Sequence, residues 1–138
     1  MSIVTLLLGS NLGHREGYIS AARTAIAQQV GIITRQTPIL YSEPWGYQSV
    51  NGFANQVIQV ECGIDPFTLL DTLQVIERQI GRTKHAELGP RYVDRIIDID
   101  ILYIDGAQGA HIQSERLTVP HPLIGERDFV LRLLAYLD

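Results

Sequence analysis

Cysteine, methionine and tryptophan are nearly absent from this chain of 138 residues, which contains one of each. The single cysteine, Cys62, cannot form a disulfide within the chain, and it lies in a predicted apolar strand without a neighbour that would activate it as a nucleophile. We therefore expect no disulfide framework and no cysteine catalysis. The same usage predicts a reducing compartment, the cytoplasm.

Long apolar runs are missing as well. No window approaches the stretch of about 18 apolar residues that a membrane span requires. The N-terminal stretch MSIVTLLLGSNLG lacks the basic flank and the small-residue cleavage site of a signal peptide, so we interpret it as a first strand. We expect one domain over residues 1–138 without membrane contact.

An excess of positive charge is also lacking, because the formal net charge is −4. This argues against nucleic-acid binding. Of the eleven basic residues, ten are arginine, and five of the eleven lie between positions 78 and 95. Arginine suits bidentate contact with phosphate. The motif G-x-x-x-x-G-K-S/T does not occur, which excludes a P-loop protein.

Apolar periodicity predicts the order βαββαβ followed by a C-terminal helix. The predicted strands are 3–8, 32–41 (interrupted or edged by Pro38), 53–62 and 94–105; the predicted helices are 15–29, 65–81 (Asp65 as N-cap, Gly81 as its end) and 126–137. The simplest arrangement is a ferredoxin-like α+β sandwich, an antiparallel sheet with helices on one face and an extra C-terminal helix. Strands 3–8 and 53–62 would be central, the fourth strand would lie at an edge, and the second face would be open for ligands.

The fourth strand, DRIIDIDILYID, carries the strongest functional signal. Alternation assigns its residues to two faces: Ile97, Ile99, Ile101 and Tyr103 on one, and Asp98, Asp100 and Leu102 on the other. Two neighbouring carboxylates repel each other unless a positive charge lies beside them. Salt bridges to arginine would supply it, but we favour Mg²⁺, which prefers carboxylate, water and phosphate oxygens.

Other candidate features are weaker. LLLGSNLG resembles a phosphate-binding loop, although a tight turn into the first helix is the simpler interpretation. Gln74 and Glu77 lie off the apolar stripe of their helix, which predicts exposed side chains. Trp45 and Phe53 could enclose a flat heterocycle, but such aromatics more often belong to a core. His121 has no partner at a metal-ligand spacing.

In combination, these residues resemble the 6-hydroxymethyl-7,8-dihydropterin pyrophosphokinase (HPPK) family over nearly the whole chain. The segments that carry the resemblance are GSNLG (9–13), YSEPWG (41–46), FANQV (53–57), QVIERQIGR (74–82), RIIDIDIL (95–102), RLTVPHP (116–122) and ERDFVL (126–131). The resemblance implies a ferredoxin-like fold. It also implies a Mg²⁺-dependent transferase of folate biosynthesis that moves the pyrophosphoryl group of ATP to the hydroxymethyl group of the pterin and releases AMP.

The resemblance further implies a role for each matching residue. The implied catalytic residues are Arg82, Arg95, Asp98 and Asp100, the two acids binding two Mg²⁺ ions. ATP would be bound by Gln74, Glu77, Lys84, Ile101, Arg116, Thr118, His121 and Arg127. The pterin would be bound by Ser42, Pro44, Trp45, Phe53, Asn55 and Phe129. Arg91 competes with Arg95 for its role, and we choose Arg95 because it alone keeps the family's spacing to Asp98.

The resemblance implies that ATP and a pterin are the partners of this chain. We expect the chain to be a monomer or a weak homodimer. The alternative function is a non-catalytic small-molecule-binding module on the same fold, which would bind a ligand without forming product. An RNA-binding domain shares the βαββαβ order, but its central strands require an aromatic and basic pattern that this sequence lacks.

Overall fold

The computed structural model describes residues 1–42, 52–85 and 96–138, with the backbone alone for 82–85. In chain order the elements are β1 (Ser2–Ser10), α1 (Arg15–Gln29), β2 (Ile32–Gln36), β3 (Leu40–Ser42), β4 (Phe53–Cys62), α2 (Pro66–His85), β5 (Asp98–Ile104), β6 (Ile112–Gln113), β7 (Thr118–Val119), a 3₁₀ turn (Ile124–Glu126) and α3 (Asp128–Ala135). Among these residues, no helix has the length and apolar character that crossing a membrane requires.

The main sheet is antiparallel and has β1 and β4 at its centre. Its order is β2-β4-β1-β5, and β3 pairs with β4 beyond the end of β2. The predicted central strands and the predicted edge position of β5 are therefore confirmed. The second strand is interrupted, as Pro38 indicated: Thr37 N–H donates to Val57 O at 2.9 Å, and Thr37 Oγ accepts from Val57 N–H at 3.1 Å.

The first face of the sheet is covered by α1 and α2. Leu6 and Leu8 of β1 are fully buried there, together with Ile26 of α1 and Ile76 of α2. Alternate side chains of β1 point to this face, and they pack against the apolar sides of two amphipathic helices. The burial of the large aliphatic side chains of this cluster supplies most of the driving force for folding, because each contributes about 1.5–3 kcal/mol.

Helix α2 begins where predicted but ends later. Asp65 Oδ1 accepts hydrogen bonds from Phe67 N–H at 3.2 Å and Thr68 N–H at 3.1 Å, which confirms it as the N-cap. The predicted end at Gly81 is wrong, because the helix continues to His85. Gly81 is not among the residues with positive φ, so it does not form the left-handed cap that ends a helix. It is buried, and a Cβ there would lie 3.9 Å from Ile96.

The second face is partly closed, which corrects the prediction that it is open. Leu7 and Val57 of the central strands pack against Val130 and Leu133 of α3. Helix α3 is shorter than the predicted 126–137, since the preceding turn is 3₁₀. Among the described residues, α3 packs against this part of the face, and the end near the start of β4 and β5 carries Asn55 and Asp98.

A β-bulge breaks the alternation along β5. Thr5 pairs with Tyr103 and Leu6 pairs with Ile101, so Leu102 is an extra residue in the strand. Leu102 and Tyr103 consequently both pack on the second face, and the prediction that Tyr103 shares a face with Ile101 is wrong. Asp98 and Asp100 precede the bulge and keep the predicted register.

The turn between α1 and β2 depends on a glycine. A Cβ at Gly31 would lie 2.0 Å from Glu61 O, in the central strand β4, whereas a Cβ at Gly63 would meet nothing within 4 Å. We predict that Gly31→Ala lowers the free energy of unfolding by about 2–3 kcal/mol through this overlap. Urea unfolding should show the loss, and Gly63→Ala should be near neutral. Equal stability of both variants would contradict the described packing.

Candidate functional site

Asp98 and Asp100 lie on the second face of the sheet, at its open end. Asp98 pairs with Gly9 and Asp100 pairs with Leu7, and both acids are partly buried. On its other side, Gly9 pairs with Asn55 of β4. A glycine in the central strand therefore separates an amide from a carboxylate.

Gly9 was missed as a functional position, because the sequence suggested a turn there. Strand β1 instead continues to Ser10, and Gly9 is inside it. A Cβ at this position would lie 3.4 Å from both Asn55 Oδ1 and Phe53 Cδ1. The signal that could have revealed it is a glycine within a strand, which often marks close approach of a ligand.

The side-chain amide of Asn55 is held in one orientation. Its Nδ2 donates to Leu40 O at 3.0 Å and to Ser42 Oγ at 2.8 Å. A flipped amide would place its oxygen against the Leu40 carbonyl, which can only accept. Oδ1 therefore faces the Gly9 side and offers an acceptor to a ligand.

Glu77 joins the two acids from α2. Its Oε2 accepts a hydrogen bond from Ile99 N–H at 2.7 Å, on the outer edge of β5. The pKa of Glu77 is raised to about 8. Burial is the largest cause, the Ile99 hydrogen bond opposes it, and a side-chain hydrogen bond with Asp98 and the negative charges of Asp98 and Asp100 add to it. The expectation of exposed side chains for Gln74 and Glu77 is wrong, since both are partly buried. Periodicity assigns a residue to a side of its helix, but it does not show that the edge strand lies against that side.

Arg127 and His121 close the site beyond β5. Arg127 Nη1 lies 3.9 Å from Asp100 Oδ2, which is longer than a hydrogen bond. Burial lowers the pKa of His121, and the Arg127 charge adds to this while Asp98 opposes it. His121 Nδ1 accepts from Leu123 N–H at 3.1 Å. The neutral ring therefore carries its proton on Nε2 and acts as a hydrogen-bond donor.

The remaining predicted residues divide into four groups. Thr118 lies on β7, which contacts β5, and Phe129 packs at the margin of the second-face cluster. The Ile101 side chain is buried among the core residues of the first face, so only its backbone can reach a ligand. Arg116 lies at the rim, where it forms an exposed ion pair with Asp71 of α2. Outside the described residues or side chains lie Pro44, Trp45, Arg82, Lys84, Arg91 and Arg95.

The donor set fits a hard cation. Among the described residues, no three His, Cys, Asp or Glu side chains converge on a point where they alone would hold a metal. A cation at Asp98 and Asp100 would therefore take its other ligands from water or phosphate. This is the coordination that Mg²⁺ prefers, whereas zinc sites use histidine and cysteine.

Comparison with known proteins adds a family match. The chain matches the family described as 7,8-dihydro-6-hydroxymethylpterin-pyrophosphokinase (HPPK) over residues 5–138. The 2-amino-4-hydroxy-6-hydroxymethyldihydropteridine pyrophosphokinase of Porphyromonas gingivalis is 41% identical over 130 residues, which cover 94% of this chain and 86% of the relative. The enzyme of the same name from Bacillus subtilis is 36% identical over 135 residues, covering 97% and 77%.

The structural comparison bears on the fold. The crystal structure of wild-type Plasmodium falciparum HPPK-DHPS with SDX-DHP aligns with a TM-score of 0.66 at 14% identity. The alignment covers 94% of this chain but only 39% of that one. It confirms the ferredoxin-like α+β sandwich that was predicted from the sequence.

The raised pKa of Glu77 makes stability depend on pH. Folding raises this pKa from 4.5 to about 8, so the folded chain retains a proton that the unfolded chain releases. The stability that this retained proton contributes is fully present below pH 4.5 and is lost as pH rises through about 8. We predict that Glu77→Gln has a higher free energy of unfolding than the original chain at high pH, because glutamine cannot ionise. At low pH the two should differ little.

Urea unfolding at about pH 5 and about pH 8.5, with EDTA present, measures this difference. Glu115→Gln is the control, because it makes the same chemical change at an exposed position and should not reproduce the difference. If the free energy of unfolding of Glu77→Gln differs from that of the original chain by the same amount at both pH values, the raised pKa of Glu77 is contradicted.

Proposed function

Because the chain belongs to the 7,8-dihydro-6-hydroxymethylpterin-pyrophosphokinase family, we propose that it carries out the family's reaction with the residues described above. The reaction transfers the pyrophosphoryl group of ATP to the hydroxymethyl oxygen of 6-hydroxymethyl-7,8-dihydropterin. Family membership makes the chain a folate-pathway pyrophosphokinase. The Mg²⁺ requirement and the role of each residue are the proposal.

One observation supports the proposal most strongly: Asn55 and Asp98 flank Gly9 in one row across the sheet. Two strand spacings separate them by about 10 Å. A flat bicyclic ring held at its polar edge by Asn55 would thus extend across the glycine and bring its substituent towards Asp98. In this arrangement the hydroxymethyl group would approach the phosphates that are proposed to lie near Asp98.

The pterin would occupy the β4 side of this row. Asn55 Oδ1 would accept a hydrogen bond from a ring N–H group, since its Nδ2 is committed to β3. Phe53 lies beside Gly9, and Phe129 of α3 lies at the margin of the second-face cluster. The two rings would therefore pack against the heterocycle. Ser42, Pro44 and Trp45 are proposed to complete this pocket.

The nucleotide would occupy the β5 side. Nε2–H of neutral His121 and the guanidinium of Arg127 would donate to ATP, and Glu77 would bind at the same edge. The backbone of Ile101 is the part of that residue available to the ligand. The other proposed contacts are Gln74, Lys84, Arg116 and Thr118.

Asp98 and Asp100 would hold Mg²⁺, two ions by family resemblance, which supply positive charge to the phosphate oxygens. The hydroxymethyl oxygen attacks the β-phosphorus and releases its proton to solvent, the bond from that phosphorus to the α-phosphate oxygen breaks, and AMP leaves with that oxygen. Arg82 and Arg95 would stabilise the charge on the transferred group. This chemistry depends on alignment and positive charge more than on a base, which suits a site whose histidine is a donor.

We also propose that the chain works in the cytoplasm, as a monomer or weak homodimer. The single cysteine is buried and unpaired, which is typical of a reducing compartment. ATP and the pterin are the proposed partners, without nucleic acid.

The nucleotide product tests the reaction. We predict that the chain, ATP, Mg²⁺ and the hydroxymethyl-dihydropterin give AMP in step with pterin pyrophosphate, because attack at the β-phosphorus leaves AMP. Separation of the nucleotides by chromatography measures the product. ADP in its place, or no pterin-dependent turnover, would contradict the proposal. Tight binding of the pterin without product would favour the non-catalytic module.

Asp98→Asn tests the metal site, with Asp105→Asn as a matched control. Both changes remove one carboxylate. Asp98 is the first residue of β5, whereas Asp105 directly follows the other end of the strand, where its Oδ1 accepts a hydrogen bond from Ile3 N–H. We predict that Asp98→Asn lowers turnover at least about 100-fold, because a charge that holds the cation is lost. Asp105→Asn should keep near-normal turnover. Comparable loss in both variants would point to a general effect of charge.

A thermal shift tests Mg²⁺ without activity. We predict that Mg²⁺ with a non-hydrolysable ATP analogue raises Tm of the original chain by several degrees, since ligands that bind only the folded state stabilise it. Asp98→Asn should show a much smaller rise. An equal rise in both proteins would remove Asp98 from the metal site.

A further inference from the structure

Arg15 contacts the two chain segments that lead to the pterin side of the site. It is the first residue of α1, outside the motifs for which a role was predicted. Its Nη1 donates to Gly52 O at 2.9 Å, and its Cζ lies 5.1 Å from the centroid of the Tyr41 ring. One planar guanidinium thus bonds a carbonyl and stacks on an aromatic ring, which an ammonium group does less well.

Tyr41 and Gly52 are adjacent to the residues that set the pocket. Tyr41 precedes Ser42, whose hydroxyl accepts from Asn55, and Gly52 precedes Phe53, which lies beside Gly9. The two segments are also in direct contact, because a Cβ on Gly52 would lie 2.9 Å from Ser42 O. A shift of either segment would therefore move a pterin contact.

Within the described residues, the ladder that joins these segments consists of the three pairs that Leu40, Tyr41 and Ser42 of β3 form with β4. So few pairs, at the margin of a sheet, form a weak junction by themselves. A contact from α1 that holds both segments would fix it.

We propose that Arg15 is a positioning residue for the pterin substrate, which acts by holding the Tyr41–Ser42 and Gly52–Phe53 segments together. This inference rests on the proposed function. It also predicts selectivity, because Tyr41 and Gly52 lie against β4, whereas the proposed nucleotide contacts lie on α2, on β5 and on the elements after β5. Loss of Arg15 should weaken pterin binding and leave ATP binding intact.

Steady-state kinetics with each substrate varied in turn test the proposal. Arg15→Gln should raise KM for the pterin about 10-fold and change KM for ATP less than about 2-fold. Arg15→Lys should give an intermediate value, since it keeps a donor but loses the planar stack. Arg35→Gln is the matched control: it also removes a guanidinium bond to a carbonyl, that of Leu137 O at 2.6 Å, and should leave both KM values unchanged.

Two further variants keep the proposal testable if Arg15→Gln fails to fold. Tyr41→Leu removes the ring and should raise KM for the pterin about 3-fold, and Gly52→Ala should do so through its overlap with Ser42 O. Unchanged KM values, or equal rises for pterin and ATP, would overturn the role of Arg15 while the original chain still forms AMP. Absence of AMP with the original chain would instead overturn the proposed function, and this inference with it.

Discussion

The pairing of β1 with both β4 and β5 is the constraint on which the site depends. Because β1 lies between them, residues brought from two distant parts of the sequence stand in one row across the sheet, and Gly9 sets the space between them. Register in a sheet is all or none: a slip of one residue would turn Asn55, Asp98 and Asp100 towards the helices. The buried aliphatic side chains of the first face, among them Leu6 and Leu8, prevent that slip.

The β5 side of the site is electrostatically costly. Burial raises the pKa of Glu77, and Asp98 and Asp100 are close enough to raise it further. Such a cluster weakens the fold unless protons or cations neutralise it. A ligand that carries cations to this point would relieve the repulsion, so the same charges that lower stability would favour binding. This is a physical reason for acids at the edge of a sheet, where strands otherwise avoid them.

The two sides of the site are supported by different parts of the fold. On the β5 side, α2 supplies Glu77 and β7 leads to His121. On the β4 side, the support comes from the short strand β3 and from Arg15 of α1. Since β1 separates them, a substitution that disturbs one support need not reach the other. The fold thereby allows the two sides of the site to be altered separately.

The sequence by itself determined what depends on local pattern: the order of the main strands and helices (but not the short β6–β7 pair), the central and edge strands, the Asp65 cap, the break at Pro38, and the placement of Asp98 and Asp100 on one face. Its motifs also identified the family. Only the tertiary structure decided that α2 continues through Gly81, that Leu102 is an extra residue in β5, that Glu77 is partly buried, and that Gly9 opens a space between β4 and β5. Alternation and helical periodicity are properties of neighbouring residues. The burial of a glutamate, a bulge and the space above a glycine depend on which distant segment packs there, and no local pattern contains that information.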